Sequence, residues 1–121
     1  MSDELILVVD DDPLFRSSVA AGLEFWGFRV SVATNGQTAL LEVGRELPAL
    51  VLLDINMPVL DGRGFAREIA DRGLAIPIIV VTSDDNGEVA AREIGAAAWI
   101  SKPFDLGRLF RSIERVMRSA S

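Results

Sequence analysis

Short apolar runs alternating with longer amphipathic stretches constrain this chain more than any other feature. The runs are Leu5–Val9, Phe28–Ala33, Ala49–Leu53, Ile76–Val81 and Ala97–Ser101. Each is too short for an ordinary helix and rich in aliphatic or β-branched residues, which suits a strand. Ala49–Leu53 contains no polar residue, so it is predicted to be buried on both faces, as in a parallel sheet. Ala97–Ser101 is the weakest of the five. Five strands alternating with five helices imply a parallel sheet covered by helices on both sides. This is an α/β doubly wound architecture in which one domain fills residues 1–121.

The intervening stretches carry helix signals. Asp12 caps the first helix, and Pro13 stands in its first turn, where a missing N–H costs nothing. Phe15, Val19, Leu23 and Trp26 recur at three- and four-residue spacing before Gly27 ends it. Asn35–Leu47 is predicted helical and is stopped by Pro48. A Gly/Pro-rich loop from Met57–Pro58 to Gly64 precedes a helix over Phe65–Arg72, with Gly62 and Gly64 read as loop geometry. Asp84 or Asp85 is expected to cap a helix running to Gly95. Asp105 is expected to cap a last helix reaching about Arg118.

Composition removes several classes of function. Half the residues are apolar, which argues against disorder, and the formal net charge of −6 argues against sequence-independent nucleic acid binding. No apolar run approaches the roughly 18–20 residues of a membrane span. The acidic start lacks the basic opening of a signal peptide, so the expectation is a cytoplasmic protein with no membrane or direct nucleic acid partner. There is no cysteine and no histidine. Thiolate and imidazole metal sites, disulfides and a phosphohistidine on this chain are therefore excluded. Carboxylates, hydroxyls and lysine must carry any chemistry.

Lysine occurs once, as Lys102, whereas the other eleven basic residues are arginine. Lys102 follows the fifth run. Asp10-Asp11-Asp12, Asp54 and Thr82-Ser83 follow the first, third and fourth. In an open parallel sheet, functional groups gather beyond the carboxyl ends of the strands, where strand order reverses. With strand order 2-1-3-4-5, the first and third strands flank that crevice. Asp10, Asp11 and Asp54 would then crowd about three negative charges together, which raises their pKa values unless a cation intervenes. An all-oxygen donor set suits Mg²⁺ and argues against zinc. Asp54 is the candidate nucleophile toward phosphorus. Lys102 and the Thr82 hydroxyl would hold phosphoryl oxygens. Lys102 is expected to pair with Asp54 at rest and with its phosphoryl group when modified.

Four motifs at these strand ends resemble the receiver domain of two-component response regulators. They are Val9-Asp10-Asp11; Leu53-Asp54-Ile55-Asn56-Met57-Pro58 with Asp61-Gly62; Val81-Thr82-Ser83; and Lys102-Pro103-Phe104. The resemblance covers the whole chain and implies a flavodoxin-like (βα)5 fold. It implies that a histidine kinase or phosphotransfer protein donates a phosphoryl group to Asp54. It implies Mg²⁺ bound by Asp11, Asp54 and the Asn56 carbonyl, with Asp10 assisting largely through water. Thr82 and an aromatic residue, here Trp99, would switch position on phosphorylation; the family usually has Tyr or Phe there. Asn56 and Asp84 stand where family members tune hydrolysis of the phosphoryl group, and a short phosphoryl lifetime is expected. Pro103 is expected to follow a cis peptide bond. The family's large winged-helix class often has an acidic pair before the aromatic. Ala96-Ala97-Ala98 lacks it, so the charged dimer interface of that class is not expected. The kinase, the pathway and the output partner are not named by the sequence.

Other readings fit less well. An aspartyl phosphatase acting on small molecules typically has a second Asp where Asn56 stands. A flavin carrier needs a hydroxyl- and glycine-rich phosphate loop where Asp10-Asp11-Asp12 stands. A phosphorylation-independent interaction module has no use for the acidic site. The only catalysis expected is self-catalysed phosphorylation and dephosphorylation. In the last helix, Arg108, Arg111, Arg115 and Arg118 share one sector, opposite Leu109, Ile113 and Val116. The simple reading is a solvated basic face, and the alternative is a docking face for an acidic partner.

Overall fold

A computed structural model describes residues 3–83 and 85–120. The strands are β1 (Leu5–Val9), β2 (Arg29–Ala33), β3 (Leu50–Leu53), β4 (Ile78–Thr82) and β5 (Ala98–Ser101). The helices are α1 (Pro13–Phe25), α2 (Gly36–Arg45), α3 (Gly62–Asp71), α4 (Gly87–Ile94) and α5 (Leu106–Ala120). All neighbouring strands pair in parallel, in the order β2-β1-β3-β4-β5. β1 and β3 lie side by side with Val9 beside Leu53, so the two strands end level with each other.

Side-chain alternation along the central strands builds two cores. Leu7, Val9, Val51, Leu53 and Val80 face one way and pack with Ala39 and Val43 of α2, Phe65 and Ile69 of α3, and Ala90 and Ala91 of α4. Ile6, Val8, Leu52, Ile79, Val81 and Ile100 face the other way and pack with Val19 and Leu23 of α1 and Leu109 and Ile113 of α5. Burial on both faces explains why β1, β3 and β4 read as unbroken apolar runs. Trp26 stacks on Phe110, with ring centroids 3.6 Å apart, and is half-buried at the edge of the second core.

The N-caps define where the loops of the carboxyl edge end. Asp12 accepts from the Leu14 and Phe15 N–H groups at 3.0 and 3.5 Å, with Pro13 in the first turn, as expected. Asn35 and Thr38 cap α2 reciprocally. The Asp105 carboxylate accepts from the Arg108 N–H at 2.7 Å. Two expectations are corrected. α3 starts at Gly62, three residues before Phe65, because Asp61 caps it by accepting from the Gly64 N–H at 2.9 Å. Gly62 and Gly64 are therefore first-turn helical residues. At α4 the N-cap position falls to Asn86, beyond Asp85, and no side-chain capping hydrogen bond is made there. Asp84 lies outside the described residues. Gly95 ends α4 in the left-handed conformation, φ 70°, as a C-terminal glycine does.

Candidate functional site

Three polar or charged residues are buried among the described residues: Asp10 at 1 % exposure, Thr82 at 1 % and Asp54 at 7 %. All three stand at carboxyl ends of strands. Backbone hydrogen bonds hold those ends in line. The Asp10 N–H donates to the Ala33 carbonyl, the Asp54 N–H to the Val9 carbonyl, and the Lys102 N–H to the Thr82 carbonyl. The ladder thus runs one residue past the strands and sets the height of each functional side chain.

Asp10 is anchored at every oxygen. Its Oδ1 accepts from the Asp12 N–H at 2.9 Å, and its Oδ2 accepts from Lys102 Nζ at 2.7 Å. Its carbonyl accepts from Arg16 Nη1 at 2.8 Å. The resting partner of Lys102 is therefore Asp10, not Asp54 as the sequence suggested. Asp10 has almost no contact with water, so its charge needs a counter-ion more than the others do. The Lys102 side chain keeps 21 % of its surface exposed, and its ammonium lies 4.1 Å from the centre of the Phe15 ring. The Lys102–Pro103 peptide bond is cis, as expected.

Asp54 carries the strained charge. Burial pushes its carboxyl up to about 6, helped by the neighbouring Asp10 charge. Lys102, and the Asn56 N–H that donates to its Oδ1 at 3.3 Å, pull the other way. The folded chain therefore holds this proton more tightly than the unfolded chain does. Its favourable contribution is complete below the unfolded value near 3.8 and is lost as pH rises through about 6. In chelator-treated protein, Asp54→Asn is expected to be the more stable form at neutral pH. Thermal melts should show its advantage growing from near zero at about pH 4 to about 1 kcal/mol at about pH 7.5, after allowing for solvent screening. A constant difference across that range would contradict the assigned cause.

The donor set suits a hard cation. One carboxylate oxygen from each of Asp10, Asp11 and Asp54 lies within 4.8 Å of the others. All are oxygens, Asp11 is exposed at the mouth, and the mutual repulsion registered at Asp54 is what a divalent ion would relieve. Asn56, two residues after Asp54, is exposed between buried Ile55 and Met57. Trp99 lies on β5, 41 % exposed. A methyl group placed on Gly87 would be 3.0 Å from Thr82 Cγ2 and 3.5 Å from Trp99 Cε3, so α4 begins against both residues. The structure thus gathers Asp10, Asp11, Asp54, Asn56, Thr82 and Lys102 at one edge, with Trp99 beside Thr82.

Two contributors escaped the sequence reading. Arg16 had no distinguishing spacing, and Phe15 counted only toward the apolar stripe of α1. The available signal was their position, one turn beyond the Asp10-Asp11-Asp12 run. Arg108, Arg111, Arg115 and Arg118 are all exposed on α5, and no helix among the described residues is long and apolar enough to cross a membrane.

Fold and site together place the chain among flavodoxin-like α/β proteins of the CheY type. The chemotaxis protein CheY4 of Vibrio cholerae superposes with a TM-score of 0.87 at 27 % identity, over 95 % of this chain and 99 % of that one. The receiver domain of NtrX from Brucella abortus superposes at 0.86 with 34 % identity, over 93 % and 98 %. In sequence, the chain is 41 % identical to a probable transcriptional regulator, ycf27, of Pyropia yezoensis, over 97 % of this chain and 49 % of that protein. It is 38 % identical to the response regulator MprA of Mycobacterium leprae, over 93 % and 50 %. It spans about half the length of these two relatives. The family model for the response regulator receiver domain matches residues 6–114. The chain belongs to the response regulator receiver domain family of two-component signalling systems.

Proposed function

We propose that this domain is a phosphorylation-driven switch with Asp54 as the phosphoryl acceptor. An Asp54 carboxylate oxygen forms a bond to phosphorus as the bond between phosphorus and the donor nitrogen breaks, and the donor imidazole leaves with the electron pair. The donor is the histidine of a kinase or phosphotransfer protein. Asp11, Asp54 and the Asn56 carbonyl would hold Mg²⁺, with Asp10 assisting through water. When bound, the ion supplies neutralising charge for the carboxylates and the phosphoryl oxygens. The Lys102 ammonium and the Thr82 hydroxyl hold phosphoryl oxygens. Thr82 and Trp99, both against the start of α4, carry the change outward to an output domain or partner. Asn56 and Asp84 tune hydrolysis.

What supports this reading most is the coincidence of the three buried polar residues with the single lysine at one sheet edge. Incubation with acetyl phosphate and Mg²⁺, read by intact mass, tests it. The wild type is expected to gain one phosphoryl group and Asp54→Asn none. A wild type that gains nothing in the presence of Mg²⁺, or an Asn variant that gains as much, overturns it.

A further inference from the structure

We propose that Phe15 is a positioning residue of the phosphoryl site, its ring face holding the Lys102 ammonium where it can pass from Asp10 to a phosphoryl group on Asp54. This rests on the proposed function and concerns how the lysine is handled there.

Two of the contacts Lys102 makes at rest differ in kind. The Asp10 contact is an ion pair with a short hydrogen bond, 2.7 Å from Nζ to Oδ2, and the hydrogen bond weakens steeply with misalignment. The Phe15 contact, 4.1 Å to the ring centroid, is an attraction to the negative face of an aromatic ring. It extends to about 6 Å from the centroid and holds for a cation anywhere over the ring face. An ammonium that must leave one oxygen for another keeps part of its stabilisation if it slides over such a face. Without the ring, a partly buried charge would cross the gap with only water to compensate it.

The ring is itself held for this purpose by nearby sequence. Phe104 meets Phe15 edge-on, with centroids 5.8 Å apart and planes at 83°. It lies two residues after Lys102, so one short segment supplies both the ammonium and a ring packed against Phe15. The Asp12 cap and Pro13 fix the first turn of α1, from which Phe15 projects. The arrangement also accounts for the lone lysine. A compact ammonium on a flexible stem can move over a ring face between two acceptors, whereas a planar guanidinium would stack on the ring and stay.

Because Lys102 is the only lysine, protein labelled with ¹³C at lysine Cε gives a single resonance. In the resting wild type the attached protons are expected well upfield of free lysine, shielded by the ring, and in Phe15→Leu at the free position. The second measurement is the rate of phosphoryl uptake from acetyl phosphate with Mg²⁺. Phe15→Leu should slow it about five-fold, Phe15→Tyr should keep it, and pentafluorophenylalanine at 15, which keeps the shape and removes the negative face, should match Leu. The fluorinated protein keeps the test open should the leucine variant fold poorly. A wild-type resonance at the free-lysine position, or pentafluorophenylalanine as fast as wild type, overturns the inference. Equal losses in the Leu and Tyr variants also overturn it, since they signal packing alone. A wild type that takes up no phosphoryl group overturns the proposed function and this role together. A wild type that does, with Phe15→Leu equally fast, overturns only the role of Phe15.

Discussion

Exchanging Lys102 for arginine is expected to slow phosphoryl uptake at Asp54 by roughly ten- to hundred-fold while leaving the fold intact. The charge is kept, so Asp10 retains a counter-ion and the buried carboxylate is not abandoned. Reach and shape change. A guanidinium is longer and planar, and it engages carboxylates with two parallel hydrogen bonds, which would tighten its hold on Asp10. A group so held is misplaced for the phosphoryl oxygens. Lys102→Met separates charge from shape. It leaves Asp10, 1 % exposed and close to Asp54, without its cation, and should cost about 3 kcal/mol in urea denaturation of the metal-free protein. Arginine should lose rate and little stability, methionine both. An arginine variant that takes up phosphate at the wild-type rate would show that the ammonium has no special role.

The second large effect is structural and falls on Gly62. A Cβ there would stand 2.7 Å from the Asp54 carbonyl oxygen and 2.8 Å from Ile55 Cα. Both are backbone atoms of the turn that carries Asp54, and the Gly62 N–H donates to the Ile55 carbonyl at 2.9 Å. Nothing flexible is available to give way. Gly62→Ala is expected to destabilise by about 3 kcal/mol, lowering the melting midpoint by roughly 10 °C. Gly44→Ala provides the contrast. Gly44 lies in α2 with nothing within 4 Å of the added methyl, so alanine there should stabilise by about 0.5–1 kcal/mol. If both variants moved the midpoint in the same direction, the close approach of α3 to the Asp54 turn would not be what requires glycine.

The same glycine shows where sequence reading stops. Ala49–Leu53 announced a doubly buried strand because the signal is local: five apolar residues with no polar side to show. The convergence of Asp10, Asp54, Thr82 and Lys102 was legible too, since strand alternation dictates a parallel sheet and its carboxyl edge follows. Gly62 and Gly64 read as loop because glycine disfavours helix interiors. Close contact with the backbone of the Asp54 turn, which no local pattern reveals, explains the glycine at 62, and contact with Leu60 the one at 64. The resting partner of Lys102 was missed for a similar reason. Which carboxylate takes the cation depends on relative burial, and Asp10 and Asp54 look alike as letters. Asn86 at the start of α4, instead of an aspartate before it, reflects where the turn after β4 ends, a matter of backbone path.

α4 offers one more consequence. It has eight residues, no side-chain hydrogen bond capping its start, and a buried surface made of Gly87, Ala90 and Ala91. Alanine methyls bury little area, whereas α5 rests on Leu109, Ile113 and Val116. Elements held this lightly open first, long before the sheet does, and their opening is measured by how fast their amides trade hydrogen for deuterium. The cover nearest Thr82 and Trp99 is thus held more lightly than α5 and is expected to rearrange at lower cost.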